Sequence, residues 1–220
     1  MVDFARARAV MVDNQVRTSN VNERRLLAVL GQVPRERFVP ESRRALAYID
    51  EAIPLLGDAG ARYLAPPAPF AKLVQLADIQ ENERVLEIGA GTGYTTAVLA
   101  GLAREVVGVE PNAELATAAR DNLQGLGIEN ARIVENAFDA PLKGEGHFDV
   151  VFFSGSVRDV PDSAFTSLRD GGRLVVLVLG GLTGTAHVFV KVGKDIASRA
   201  EFNTNIPALP MAKAPEQFVF

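Results

Sequence analysis

Apolar residues near the amino end of the chain recur at helical spacing. Leu26, Leu27 and Leu30 share one helical face. Asn20 precedes them, with Glu23 three residues on, which is the pattern of a capping box. Val33-Pro34-Arg35-Glu36-Arg37-Phe38-Val39-Pro40 then ends the pattern, because proline lacks the N–H that a helix interior needs. Gly57 to Pro69 reads as a glycine- and proline-rich loop, and Phe70, Leu73, Val74 and Ala77 mark one face of a further helix.

From Arg84 the rhythm changes. Val85-Leu86-Glu87-Ile88 is a short strand, followed by a glycine turn and a helix through about Ala103. Val106 to Val109 is a second strand, Asn112 to Leu126 a helix ended by Gly127, and Ala131 to Val134 a third strand. Phe148 to Phe153 is a fourth, apolar almost throughout, as a strand covered on both faces must be. Asp159 to Asp162 reads as a loop and helix cap, and Gly172 to Val178 as a fifth strand. Strand and helix alternating in this way predict a doubly wound, mostly parallel α/β sheet with right-handed crossovers. The end differs: His187 to Val192, a turn at Gly193-Lys194-Asp195 and Ile196 to Phe202 form a hairpin. Gln217 to Phe220 is an edge strand or a docked terminus. Three regions follow: a helical segment with a loop over 1–75, the α/β core over 76–182, and a hairpin and tail over 183–220.

Composition narrows the chemistry. The 220 residues suit one well-buried core, and a net charge of −4 gives no footprint for a nucleic-acid backbone or an anionic membrane. Arg6, Arg8, Arg17, Arg24 and Arg25 cluster near the amino end and read as a solvated helix face. The absence of cysteine removes disulfides, thiolate metal sites and thiol nucleophiles, and fits a reducing compartment. No metal site is expected. The first residues lack the apolar run of a signal peptide, and the stretch from Leu174 to Leu182 is too short to cross a bilayer. A cytoplasmic protein without nucleic-acid or membrane partners is the expectation; the oligomeric state stays open.

The turn Glu87-Ile88-Gly89-Ala90-Gly91-Thr92-Gly93 ends the first core strand and opens a helix. Glycines there let a ligand approach the main chain where a Cβ would collide. In an open α/β sheet that position is the ligand crevice. A dinucleotide site asks for G-x-G-x-x-G, but the spacing here is G-x-G-x-G, with Tyr94 in the slot of the third dinucleotide glycine. Glu87 beside the turn also suits a cation better than a pyrophosphate. S-adenosylmethionine carries a sulfonium and an ammonium and no phosphate, so it is preferred over NAD. Glu110 ends the second strand about 20 residues on, where a carboxylate accepts hydrogen bonds from ribose hydroxyls.

Several motifs together resemble the protein-L-isoaspartate O-methyltransferases, a class I methyltransferase family of Rossmann-like fold. They are Asn14-Gln15-Val16-Arg17, Val33 to Pro40, Ala47-Tyr48-Ile49-Asp50 with Ile53-Pro54-Leu55, Arg84 to Tyr94, and Gly171-Gly172-Arg173-Leu174-Val175. The glycine turn is common to the class, whereas the V-P-R-E-x-F-V-P stretch is far more specific to this family. The resemblance implies S-adenosylmethionine as cofactor, held by Glu87, Gly89, Ala90, Gly91, Thr92, Gly93, Glu110 and Pro111. Asn136, Ala137 and Phe138, standing where the family has Gly-Asp-Gly, and Ser154 complete that set.

It also implies a protein or peptide substrate bearing isoaspartyl residues. The family's substrate loop, Thr-Ile-Ser-Gln-Pro, corresponds here to Arg62-Tyr63-Leu64-Ala65-Pro66-Pro67, so Leu64, Ala65 and Pro66 are the substrate-loop candidates. The family's Val-Arg-Phe-Val-Pro-Leu is replaced by Asn205-Ile206-Pro207-Ala208-Leu209. Arg62 and Tyr63 read as surface loop residues, and His147 and His187 as structural. Two functional readings stay open at this point: methyl transfer to isoaspartyl carboxylates, or a SAM-binding relative that has lost or changed that activity.

Overall fold

The computed structural model describes residues 2–56, 62–181 and 183–211. Helix α1 (Phe4–Met11) begins where the Asp3 side chain accepts from the Arg6 N–H at 3.0 Å. A π-turn over Val12–Val16 and a 3₁₀ turn carry the chain to Asn20. Asn20 does not cap the next helix. It has a φ of +65° and closes the preceding turn, while Glu23 itself caps α2 (Arg24–Gln32) by accepting from the Arg25 and Leu26 N–H groups. A left-handed residue ends one helical turn, and the longer acidic side chain serves the following one. The arginines nearby are not a solvated face as a group. Arg8 bonds to the Tyr48 hydroxyl and Glu36, and Arg25 donates to the Ile79 and Leu102 carbonyls.

Between Pro34 and Pro40 the chain makes a 3₁₀ turn, Arg35–Phe38. Strands β1 (Ile53–Pro54) and β2 (Tyr63–Leu64) pair antiparallel. Residues 57–61 of the expected loop lie outside the described residues, and its latter part is taken up by β2 and the start of the next helix. Pro67 already occupies the first turn of α3 (Pro67–Ala77), where a missing N–H costs nothing. Phe70, Leu73, Val74 and Ala77 are buried on that helix, as their spacing predicts.

The core alternates β3 (Arg84–Ile88), α4 (Tyr94–Ala100), β4 (Glu105–Val109), α5 (Ala113–Gly125), β5 (Ala131–Val134), β6 (Phe148–Val157), α6 (Asp162–Thr166) and β7 (Leu168–Leu179). Strands β8 (Gly184–Val192) and β9 (Asp195–Thr204) make the expected hairpin. The seven strands run in the order β5-β4-β3-β6-β7-β8-β9, parallel from β5 to β7 and antiparallel thereafter. Asp162 lies in the first turn of α6, while Pro161 holds the cap position. Gln217 to Phe220, expected as an edge strand or a docked terminus, lies outside the described residues.

Alternation along the strands divides the core. Val85, Val106, Val150, Phe152 and Val175 point to the side of α2 to α5, and Leu86, Val107, Val151, Phe153 and Leu174 to the side of α6. Both faces are covered, which is why these strands are apolar in succession. Strand order reverses between β3 and β6. The crevice at their carboxyl ends is therefore where a ligand site belongs in such a sheet.

Candidate functional site

The glycine turn leaves β3 at that reversal. Gly89, Gly91 and Gly93 have φ values of +98°, +57° and +92°, which side-chain-bearing residues rarely adopt. The Gly89 and Ala90 N–H groups both donate to the Val109 carbonyl at 3.0 Å, binding the turn to β4. Thr92 donates to the Phe38 carbonyl, and Asn122 to the Thr92 carbonyl at 3.0 Å, so the turn is anchored from two sides.

Arg35 explains part of the proline-flanked motif. It is wholly buried, donates to the Ala47 carbonyl at 2.7 Å and the Ala65 carbonyl at 2.6 Å, and lies 4.8 Å from the Tyr94 ring centroid. One side chain thereby ties the segment before α3 to the helix that follows the glycine turn. Burial lowers its pKa from the usual arginine value.

Two carboxylates flank the turn, as their positions predict. Glu87 is fully buried in β3. It accepts from the Ser154 hydroxyl at 2.6 Å and the Thr96 hydroxyl at 2.5 Å, clamping β3 to β6 across the reversal. Burial raises its pKa to about 7, opposed by those two hydrogen bonds and aided by the nearby Glu110 charge. Glu110 is equally buried and accepts from the Gly91 N–H at 2.8 Å and the Asn112 N–H at 3.2 Å. Its remaining partner is unexpected. Arg62 is not a surface residue; its Nη2 donates to Glu110 Oε2 at 2.5 Å, and its side chain is only 7% exposed.

The other expected site residues divide. Ser154 faces the crevice but is not at a strand end, because β6 continues to Val157 through a register shift against β7. Phe138 is buried at the same end of the sheet, its ring centroid 5.2 Å from the Arg62 guanidinium carbon. Asn136 reaches the Pro141 carbonyl at 3.4 Å, and Ala137 and Pro111 are exposed. Leu64 is buried and paired with Ile53, the Ala65 carbonyl is held by Arg35, and Pro66 caps α3. His187 stacks on Phe189 within β8, and His147 is exposed in the loop before β6.

Neither Leu55 nor Leu209 stands out in the sequence as a site residue. The segment ending in Leu209 docks along the extended end of β6: the Ser156 N–H donates to the Pro207 carbonyl at 3.1 Å, and the Leu209 N–H to the Ser156 carbonyl at 2.9 Å. An ideal Cβ on Gly89 would lie 2.7 Å from Leu209 Cδ2, and one on Gly91 would lie 2.9 Å from Leu55 Cδ1. The backbone of this turn thus fits a nucleoside that needs close main-chain approach and a ribose-binding carboxylate. The side chains now standing on it do not leave that space. Among the described residues no cluster of His, Cys, Asp or Glu is arranged to hold a metal ion, and no helix is long and apolar enough to cross a membrane.

The chain matches the family model described as protein-L-isoaspartate(D-aspartate) O-methyltransferase over residues 6–206. It is 35% identical over 179 residues to a protein-L-isoaspartate O-methyltransferase of Koribacter versatilis, covering 81% of this chain and 79% of that one. It is 36% identical over 197 residues to protein-L-isoaspartate O-methyltransferase 1 of Syntrophobacter fumaroxidans, covering 89% of each. In three dimensions it resembles a putative protein-L-isoaspartate O-methyltransferase of Plasmodium falciparum, solved in complex with S-adenosyl-L-homocysteine. The TM-score is 0.77 at 20% identity, with 93% of this chain and 99% of that one covered, a likeness of fold. Matched to that family's model over residues 6–206, and 35–36% identical to these relatives over most of its length, the chain belongs to the protein-L-isoaspartate O-methyltransferase family.

Proposed function

We propose that this chain, a SAM-dependent methyltransferase of that family, methylates isoaspartyl carboxylates of proteins at the carboxyl end of its sheet. The observation that carries the reading is the glycine turn at the β3–β6 reversal, flanked by Glu87 and Glu110, in a chain of this family. When bound, S-adenosylmethionine supplies a methyl group on a cationic sulfur. The residues proposed to hold it are Gly89, Ala90, Gly91, Thr92 and Gly93 through the main chain, with Glu110 supplying negative charge and Glu87 standing beside it. Pro111, Asn136, Ala137, Phe138 and Ser154 border the same end of the sheet.

An isoaspartyl carboxylate has an ordinary pKa of roughly 4 and is ionised at neutral pH, so the acceptor needs no general base. The protein's task is then to position the acceptor and exclude water. Leu64, Ala65 and Pro66 are proposed to border the acceptor. Arg35 fixes their backbone through the Ala65 carbonyl, which makes it a positioning residue.

The test is transfer of labelled methyl from S-adenosylmethionine to a peptide containing isoaspartate, beside the same peptide with ordinary aspartate. Label confined to the isoaspartyl peptide is expected. Equal labelling of both peptides, or none in either, would defeat the reading.

A further inference from the structure

Side chains from three separate stretches occupy the glycine turn. Leu209 stands against Gly89 and also against Gly155, where an ideal Cβ would lie 2.9 Å from its Cδ2. Leu55 stands against Gly91, and Arg62 Nη2 lies 3.7 Å from the same Cβ position. The Arg62 guanidinium takes Glu110, the carboxylate placed to accept from a ribose. Glycines that keep the main chain open thus yield their space to the chain's own leucines, and the buried acid accepts from an arginine as well as from the Gly91 and Asn112 N–H groups.

We propose that Arg62 and Leu209 are internal competitors for the cofactor and set its affinity: S-adenosylmethionine binds by displacing the guanidinium from Glu110 and the leucine from Gly89. This rests on the methyltransferase reading above. Charge makes the exchange feasible, since Glu110 is buried and either the guanidinium or the cationic cofactor can balance it. The closed arrangement is also incompletely satisfied, because Arg62 Nε is buried without a hydrogen-bond partner among the described residues. Opening exposes that group to water. The apparent affinity for cofactor is then the intrinsic one reduced by the fraction of molecules that are open.

The experiment is calorimetric titration of S-adenosylmethionine, with no methyl acceptor present, into the full chain and into its Arg62→Met and Leu209→Ala variants, each checked for folding by circular dichroism. Leu209→Ala keeps the backbone bonds to Ser156, so it decides the matter if Arg62→Met fails to fold. Each folded variant is expected to bind about tenfold or more tighter than the unaltered chain. Equal, measurable affinities overturn the competition and leave the methyltransferase reading intact. Absence of binding in every folded protein overturns both.

Discussion

Replacing Glu110 with glutamine removes the counter-ion of a guanidinium that has almost no access to water. Glu110 is fully buried and the Arg62 side chain is 7% exposed. The amide keeps the shape of the carboxylate but has a single oxygen, so it can accept from the Gly91 or the Asn112 N–H, which now bond to different carboxylate oxygens. Arg62, however, is left as an uncompensated buried charge. Breaking a buried pair from one side costs about 3–5 kcal/mol, against at most about 1 for an exposed pair. For a chain of this size, each kcal/mol corresponds to roughly 2–4 °C, so the melting temperature should fall by roughly 6–20 °C. A double-mutant cycle with Arg62→Met isolates the cause. Glu110→Gln/Arg62→Met should cost less than the two single changes combined, by about 2 kcal/mol or more. Equilibrium urea unfolding followed by circular dichroism measures all four proteins, and free energies are compared where the slopes agree. A Glu110→Gln loss below about 1 kcal/mol, or additivity within about 0.5, would refute the buried-pair reasoning.

Glu87 gives a prediction in pH. Its folded pKa of about 7 lies above the ordinary value of 4.5, so between those limits the native state holds a proton that the unfolded state has released. The associated stability is fully present below about pH 4.5 and lost as pH rises through 7, in all about 3 kcal/mol. Glu87→Gln should flatten that part of the curve of stability against pH, and an unchanged slope from pH 5 to 7.5 would count against it. Gly93 and Gly127 separate packing from backbone strain. Both have positive φ, but a Cβ on Gly93 meets Ala119 Cα at 3.2 Å, whereas one on Gly127 meets nothing within 4 Å. Gly127→Ala should cost about 1 kcal/mol and Gly93→Ala about 2–4 by thermal unfolding, and equal costs would contradict the contact.

Most of the fold could be read from the order of residues because its signals are local. Apolar strands, a glycine turn after β3 and an Asn112 that caps α5 through the Leu115 N–H each declare themselves within a few residues. Both acids of the site were legible for the same reason, since each stands at or near the end of a strand close to the turn. What stayed hidden depends on partners far along the chain. Arg62 and Glu110 are 48 residues apart, and a lone arginine beside a proline-rich stretch looks like a surface residue until the fold brings the acid to it. Leu209 follows the hairpin in a stretch without periodicity, and only the bridge between Ser156 and Ala208 places it on Gly89. Asn20 failed for a subtler reason. The three-residue spacing to Glu23 fits a capping box, but asparagine also tolerates the left-handed conformation, and that use prevailed.

A crystal structure determined with S-adenosylhomocysteine would show whether the cofactor of this family is held on the glycine turn beside Glu110. The nucleoside should lie against Gly89 to Gly93, with its ribose hydroxyls on Glu110 and the Arg62 guanidinium withdrawn from that carboxylate. A ligand bound at some other place, with Arg62 still on Glu110 and Leu209 still on Gly89, would contradict that placement.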